Sequence, residues 1–192
     1  MGKVIFDKSM SLDGFIAGAN MRVEAGLGDD GERLHEWVFE DPAGMEMIQA
    51  EVGNLGAVIC GRTTYDMSIP NWGTEGPTGD ARVPLFVLSH GVPDDVPEDG
   101  VYTFVDGLDK ALELARETAG DRNIAVMGAD TGRQYIDAGV IDEISIHIVP
   151  VLFGSGTPLF GKGVSEHVTL EFLGASETEH ARHLRYRVVR DE

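Results

Sequence analysis

Cysteine and basic side chains are scarce in this chain of 192 residues. Cys60 is its one cysteine, which excludes an internal disulfide and a metal site built from several thiolates. Because Cys60 ends an apolar run, we interpret it as a small core residue. Lysine and arginine number 15 against 33 acidic residues, so the formal net charge is −18. That charge would repel nucleic acids and anionic membranes, and neither is expected as a partner.

Long apolar runs are missing too. No segment approaches the ~20 apolar residues that cross a bilayer, and Asp7 interrupts the N-terminus where a secretory signal would be apolar. We therefore expect a soluble, cytoplasmic protein. Neither a linker nor an internal repeat divides residues 1–192, so a single domain with one hydrophobic core is predicted.

The histidines of the C-terminal part give no signal for a metal site. His180 and His183 lie three residues apart in a strand pattern, so their side chains should point to opposite faces of the sheet. His147 alternates with Ile146 and Ile148, and we interpret it as a partly exposed strand residue. The HExxH and CxxC motifs are absent, and no metal is predicted.

Apolar strand patterns alternate with helical patterns along most of the chain. Strands are predicted at 3–9, 57–60, 85–88, 101–105 and 124–127, and helices at 32–40, 42–54, 107–118 and 131–137. This alternation predicts parallel strands joined by right-handed crossovers. The segments 143–151, 168–175 and 181–189 have strand patterns with no helix between them, which indicates antiparallel C-terminal strands. The predicted fold class is α/β, with a mixed, mostly parallel central sheet and flanking helices.

Three junctions that follow predicted strands carry the functional signal: AVICGRTTYD (57–66), PLFVLSH (84–90) and IAVMGADTGRQ (124–134). Glycine lets the backbone approach a phosphate, and helix N-termini present N–H groups to it. Arg62 adds a planar set of donors suited to phosphate. Taken singly, the first junction also fits a plain helix cap, and the third fits a packing step. Together they predict a dinucleotide site, because open sheets bind ligands at the C-terminal ends of their strands.

These motifs, in this order, resemble the dihydrofolate reductase-like superfamily. GRTTYD and PLFVLSH are followed by VMGADTGRQYIDAGVIDEISIHIVPVLFGSGTPLF, and the opening SMSLDGFIAG is typical of stand-alone proteins related to the reductase domain of bifunctional riboflavin-biosynthesis enzymes. The resemblance covers nearly the whole chain. It implies a three-layer dihydrofolate reductase-like fold, an NADPH-dependent reductase activity and a homodimer.

The resemblance also implies a role for each junction. Arg62 would contact the 2′-phosphate of NADPH, Ser89 would line the adenosine end, and Gly128 would approach the pyrophosphate. Ile16 matches the strand end that meets the nicotinamide amide. The full set of residues expected to bind the cofactor is Ile16, Ala17, Gly61, Arg62, Thr63, Thr64, Leu88, Ser89, His90, Gly128, Ala129, Asp130 and Thr131.

The substrate side departs from the dihydrofolate reductase pattern. In that family a carboxylate lies three residues before a helix tryptophan, and with Trp37 as that tryptophan the position holds Leu34. Reduction of a C=N bond still needs a proton, and the candidates for its donor are His35, Glu36 and Glu32. A solvated helix face is the alternative for Glu36. Leu34 and Val38 are predicted to line the substrate.

The loop from Ala17 to Gly31 is either a lid over the substrate or a disordered excursion. The predicted function is hydride transfer from NADPH to a C=N or C=O bond of a small pterin- or pyrimidine-like heterocycle. Reduction of 5-amino-6-(5-phosphoribosylamino)uracil and reduction of dihydrofolate are alternatives. Phe15 stands where riboflavin-type reductases usually have lysine, and the deaminase half is missing. A nucleotide-binding module without catalysis is the alternative of another class.

Overall fold

Eight strands form one mixed sheet in the computed structural model of this chain, which describes residues 2–190. The ten strands within these residues are β1 (Val4–Ser11), β2 (Phe15–Ala17), β3 (Leu55–Gly61), β4 (Leu85–Leu88), β5 (Tyr102–Val105), β6 (Asn123–Met127), β7 (Glu143–Val149), β8 (Thr157–Pro158), β9 (Leu170–Glu177) and β10 (Arg182–Val188). Their order in the large sheet is β5-β4-β3-β6-β1-β7-β10-β9, and β2 pairs with β8 separately. The first six of these run parallel, whereas β10 is antiparallel to β7 and β9. The predicted α/β class and antiparallel C-terminal strands are confirmed.

The helices are α1 (Glu36–Phe39), α2 (Pro42–Gly53), α3 (Arg62–Trp72), α4 (Leu108–Ala119) and α5 (Ala129–Asp137), with 3₁₀ helices at Gly31–His35 and Gly76–Ala81. Of these, α2, α4 and α5 lie close to the positions predicted at 42–54, 107–118 and 131–137. Asp41 caps α2, since its carboxylate accepts a hydrogen bond from the Ala43 N–H at 2.9 Å. The helix predicted at 32–40 is instead a 3₁₀ helix followed by one short α-helix. No helix within residues 2–190 is long and apolar enough to span a bilayer.

β1 separates two environments, because successive side chains of a strand point to opposite faces. Phe6 lies in the main core, where α5 crosses so closely that a Cβ on Gly132 would lie 2.1 Å from its ring. Asp7 and Ser9 point to the other face. There the buried Trp37 donates its Nε1–H to the Ser9 hydroxyl at 2.9 Å. The close crossing at Gly132 fixes where α5 begins relative to the sheet.

The loop from Ala17 to Gly31 folds back on itself. The Gly18 N–H donates to the Leu27 carbonyl at 2.7 Å. Asp29 accepts a hydrogen bond from the Arg22 guanidinium at 3.0 Å. These bonds contradict the interpretation of this segment as a disordered excursion, and its role as a lid stays a prediction.

Glu143 of β7 forms ion pairs with Lys3, which precedes β1, and with Arg185 of β10. These ion pairs give a prediction for stability in acid. The Glu143 carboxylate is almost fully buried and accepts hydrogen bonds from the Lys3 ammonium and from Arg185 at 2.6 Å. Burial favours the neutral acid, but these two cations hold the pKa of Glu143 below its ordinary value of 4.5. The stabilisation is therefore present above about pH 4.5 and is lost as the pH falls through the lowered pKa.

We expect Glu143→Gln to lower the free energy of unfolding at pH 7 by about 1–2 kcal/mol, since both cations are half exposed and become resolvated. The variant should also lose less stability than the wild type between neutral and acid pH. Urea denaturation across that pH range measures both effects. Glu171→Gln is the matched control, because Glu171 pairs with Arg187 at 2.7 Å on the exposed edge of the same sheet. An equal loss in both variants contradicts this account.

Candidate active site

β3 and β4 end side by side, with Gly61 opposite Leu88 in the parallel register. Arg62 and Ser89 follow these strand ends directly. The Arg62 Nη1 lies 3.4 Å from the Ser89 hydroxyl, while its Nε donates to Asp66 at 2.6 Å. With 41% of the Arg62 side chain exposed, the guanidinium can also contact a ligand. Two of the three predicted junctions therefore meet.

The third junction joins them from β6, the other neighbour of β3. Gly128 precedes α5 with a φ of 91°, a conformation that favours glycine. A Cβ on Gly128 would lie 2.7 Å from the Thr64 hydroxyl, and one on Gly61 would lie 2.8 Å from the Thr131 hydroxyl. Each helix therefore places a threonine hydroxyl against the glycine that precedes the other helix. The N-termini of α3 and α5 are adjacent, and a glycine precedes each of them, so that a phosphate can come close to the backbone. This arrangement suits the phosphates of a dinucleotide.

We call this set the phosphate cradle: Gly61, Arg62, Thr64, Ser89, Gly128 and Thr131. The other residues predicted to bind the cofactor lie around it. His90 is 97% exposed and its ring lies 2.8 Å from the Asp106 carboxylate. Asp130, in the first turn of α5, binds Arg133 and Lys162.

Four more predicted cofactor residues are placed by neighbouring elements. Thr63 is exposed in the first turn of α3, and Ala129 is half-buried at the start of α5. Ile16 and Ala17 belong to β2, which pairs with β8. No hydrogen bond within residues 2–190 connects these two to the cradle.

The residues predicted on the substrate side are more enclosed. Leu34 is 1% exposed and lies in a cluster with Trp37, and Val38 packs against that cluster. Glu36 lies 3.6 Å from the Arg33 side chain. Burial, together with the positive charges nearby, lowers the pKa of His35 to about 4, so its ring is neutral at pH 7. Leu34 therefore acts in packing here rather than on an open surface.

Lys8 is a candidate proton donor that the sequence patterns did not indicate. Phe6 pairs with Val126 near the end of β6, so Lys8 continues β1 beyond that strand. Its amine makes no hydrogen bond or ion pair within residues 2–190, and burial lowers its pKa. The positive charge of Lys8 favours a lower pKa for both His35 and Cys60. Cys60 is fully buried, as predicted, and burial raises its pKa to about 12, so the thiol stays protonated.

A buried network centred on His147 was also missed. His147 is 1% exposed, so the interpretation of it as a partly exposed strand residue is wrong. The ring is covered because β10 continues the sheet beyond β7 and because Trp37 stacks on it at 4.4 Å between centroids. Its Nε2 lies 3.0 Å from the Asp7 carboxylate and its Nδ1 lies 2.7 Å from His183 Nδ1. The sequence holds no signal for these contacts until the register of β1, β7 and β10 is known.

The network continues away from the sheet centre. His183 Nε2 lies 3.1 Å from the Thr178 hydroxyl, which is hydrogen-bonded to the Asp41 carboxylate. Burial and the neighbouring His147 lower the pKa of His183 to about 4. Burial opposes a charge on His147 as well, but the Asp7 carboxylate raises its pKa above the ordinary value. Between the two rings, His147 therefore holds the extra proton.

Known proteins show similarity to the chain along almost its full length. Residues 2–183 match the protein family described as the RibD C-terminal domain. The uncharacterized protein YwjB of Bacillus subtilis (strain 168) is 27% identical over 184 residues, which cover 96% of this chain and 97% of YwjB. A pyrimidine reductase-like protein from Corynebacterium diphtheriae has a similar fold, with a TM-score of 0.67 and 17% identity over 99% of this chain and 93% of the other. Dihydrofolate reductase from Enterococcus faecalis, in complex with NADP(H), gives a TM-score of 0.63 and 13% identity over 97% of this chain and 96% of its own.

Proposed function

We propose, because this chain belongs to the RibD C-terminal domain family, that it is an NADPH-dependent reductase of a small pyrimidine- or pterin-like heterocycle. The observation that carries this proposal is the phosphate cradle, where three parallel strand ends and two helix N-termini meet. A reductase of either riboflavin precursors or folates is consistent with the family. When bound, NADPH would supply the hydride, and the protein would bind and orient both partners.

Two groups of the cofactor, the pyrophosphate and the 2′-phosphate, would bind at the cradle. The Thr64 and Thr131 hydroxyls and the N–H groups of the first turns of α3 and α5 would hold the pyrophosphate. Arg62, positioned by Asp66 and next to Ser89, would contact the 2′-phosphate. Local donors of this kind let the protein bind an anion despite its net charge of −18.

The reduced C=N bond also needs a proton, and the structure offers Lys8 and His35 for this role. A proton donor works best when its pKa lies near the working pH. His35, with a pKa of about 4, is already deprotonated at neutral pH. The pKa of Lys8 starts from the high value of a lysine, and burial lowers it toward the useful range. Lys8 is therefore the better candidate.

Calorimetric titration with NADPH, followed by NADPH oxidation with each candidate substrate, tests the proposed function. We expect saturable NADPH binding and oxidation that depends on 5-amino-6-(5-phosphoribosylamino)uracil, dihydrofolate or a related heterocycle. Saturable binding with no turnover on any of them would favour the non-catalytic nucleotide-binding module, which the buried Leu34 in the acid position supports. Absence of NADPH binding would overturn both.

Gly128→Ala tests the phosphate cradle by adding a methyl group where the two helix N-termini meet. The new Cβ meets the Thr64 hydroxyl and forces an alanine into a φ of 91°, at a cost of about 1–2 kcal/mol in unfolding free energy. NADPH binding should weaken as well, because the first turn of α5 is displaced. Urea denaturation and calorimetry measure the two effects. In a Thr64→Ala background, the same change should cost less, since the steric contact is gone; an unchanged cost would show that the backbone strain alone matters.

A homodimer stays a proposal. The apolar segment 146–153 is a candidate contributor, but it is buried in the sheet only up to Val149, and Leu152 beyond it is 68% exposed. Exposed apolar side chains instead occur on β9 at the edge of the sheet, where Phe172 and Leu173 face solvent. An edge strand with such side chains suits pairing with another chain.

A further inference from the structure

A second cluster of ionisable groups lies on the α2 face of the sheet and shares no residue with the phosphate cradle. Asp7, Glu51 and His147 each place one oxygen or nitrogen atom so that all three atoms lie within 4.8 Å of one another. The cluster opens into a cleft of about 220 Å³ between α2 and strands β7, β9 and β10. Glu51 of α2, His147 and Arg185 line that cleft.

Hydrogen-bond directions fix which atom of His147 faces the two carboxylates. When His183 donates its Nε2–H to the Thr178 hydroxyl, which lies 3.1 Å away, that hydroxyl is the acceptor. His183 Nδ1 is then an acceptor, and His147 must donate its Nδ1–H to it across 2.7 Å. The neutral His147 ring is left with a lone pair on Nε2, directed at the Asp7 carboxylate 3.0 Å away.

Around the neutral His147 ring, three electron-pair donors thus converge with no hydrogen atom between them. One proton on His147 Nε2 satisfies the contact with Asp7, but it leaves the Glu51 carboxylate without a hydrogen bond or ion pair within residues 2–190. A divalent cation satisfies all three groups together. The bond from His147 to His183 is the outer-shell contact that orients a metal-binding imidazole.

We propose that Asp7, Glu51 and His147 bind a divalent transition-metal ion such as Zn²⁺, with His183 and Thr178 orienting the imidazole ligand. Imidazole nitrogen and carboxylate oxygen are ligands of Zn²⁺ at about 2.0–2.2 Å, which sets ligand atoms about 3.3–3.6 Å apart in a tetrahedron. The Asp7 oxygen already lies 3.0 Å from His147 Nε2 and the three ligand atoms lie within 4.8 Å of one another, so side-chain movements of about 1 Å reach this geometry. The fourth position faces the cleft, where water or an anionic group near Arg185 completes the coordination.

Calorimetric titration of the metal-free chain with ZnCl₂ tests the site. We expect one saturable Zn²⁺ per chain, with MgCl₂ binding far more weakly because imidazole is a poor ligand for Mg²⁺. Glu51→Gln should lower the affinity for Zn²⁺ at least 10-fold. His183→Asn should lower it about 10- to 100-fold, because His183 orients the His147 ring. Co²⁺ provides a second readout, since a tetrahedral site gives it visible absorption that Glu51→Gln should reduce.

Glu51→Gln is the decisive variant, because the Glu51 carboxylate takes no part in the hydrogen bonds that hold the fold. Unchanged circular dichroism and NADPH binding establish that this variant is folded. His90→Gln is the matched control and should bind Zn²⁺ like the wild type, because His90 meets Asp106 at 2.8 Å on the open surface with no third ligand. Absence of one-to-one binding, or equal affinity of the wild type and Glu51→Gln, overturns the proposal.

Discussion

Replacing Arg62 with alanine is expected to weaken NADPH binding by about 10- to 100-fold and to leave NADH binding nearly unchanged. A lost hydrogen bond between charged groups corresponds to about 1.5–3 kcal/mol, which is the basis of that range. The 2′-phosphate is the one group that separates the two cofactors. Asp66 and Ser89 hold the Arg62 guanidinium over the end of β4, so its donors are already oriented before a ligand arrives. Calorimetric titration of each cofactor into both proteins measures the difference.

Arg187→Ala is the control for this experiment. Arg187 also forms an ion pair with a carboxylate, that of Glu171 at 2.7 Å, and has similar exposure, but it lies on β10, outside the phosphate cradle. It should change neither affinity. An equal loss of NADPH and NADH in Arg62→Ala would mean that Arg62 supports the cradle as a whole and does not select the 2′-phosphate.

Much of the fold follows from local sequence patterns. The alternation of apolar strand runs with helical patterns predicts the parallel strands, because a parallel pair needs a crossover between its members. Asp41-Pro42 identifies the start of α2 because capping chemistry is local. The convergence of Arg62 with Ser89, and of Thr64 with Gly128, was predicted from their shared position after strand ends.

The network around His147 could not be predicted in the same way. Its contacts join β1, β7, β10 and α2, elements that lie far apart in the sequence. Alternation within β7 alone assigns His147 only to one face of the strand. Whether that face is covered depends on Trp37 and β10, which are placed by tertiary packing. Leu34 is a similar case, since its burial follows from the docking of the 3₁₀ helix on the sheet.

Replacing Lys8 with methionine is expected to lower kcat by about 10²- to 10⁴-fold while leaving the affinity for NADPH unchanged. The methionine keeps the length and apolar stem of lysine and removes the proton. A donor acts in its protonated form, so wild-type kcat should fall as the pH rises through the lowered pKa of Lys8, and this alkaline fall should disappear in the variant. Steady-state oxidation of NADPH across the pH range measures both effects.

Two further variants separate proton donation from simple charge. Lys8→Arg keeps the positive charge but cannot release a proton near neutral pH, so it should keep KM for an anionic substrate and still lose kcat. His35→Gln should reduce kcat far less, since the neutral His35 ring has no acidic proton to give at pH 7. If His35→Gln abolishes turnover and Lys8→Met does not, the proton donor is His35, and Lys8 has a structural role. If Lys8→Arg restores full activity, the charge of Lys8 is what the reaction uses.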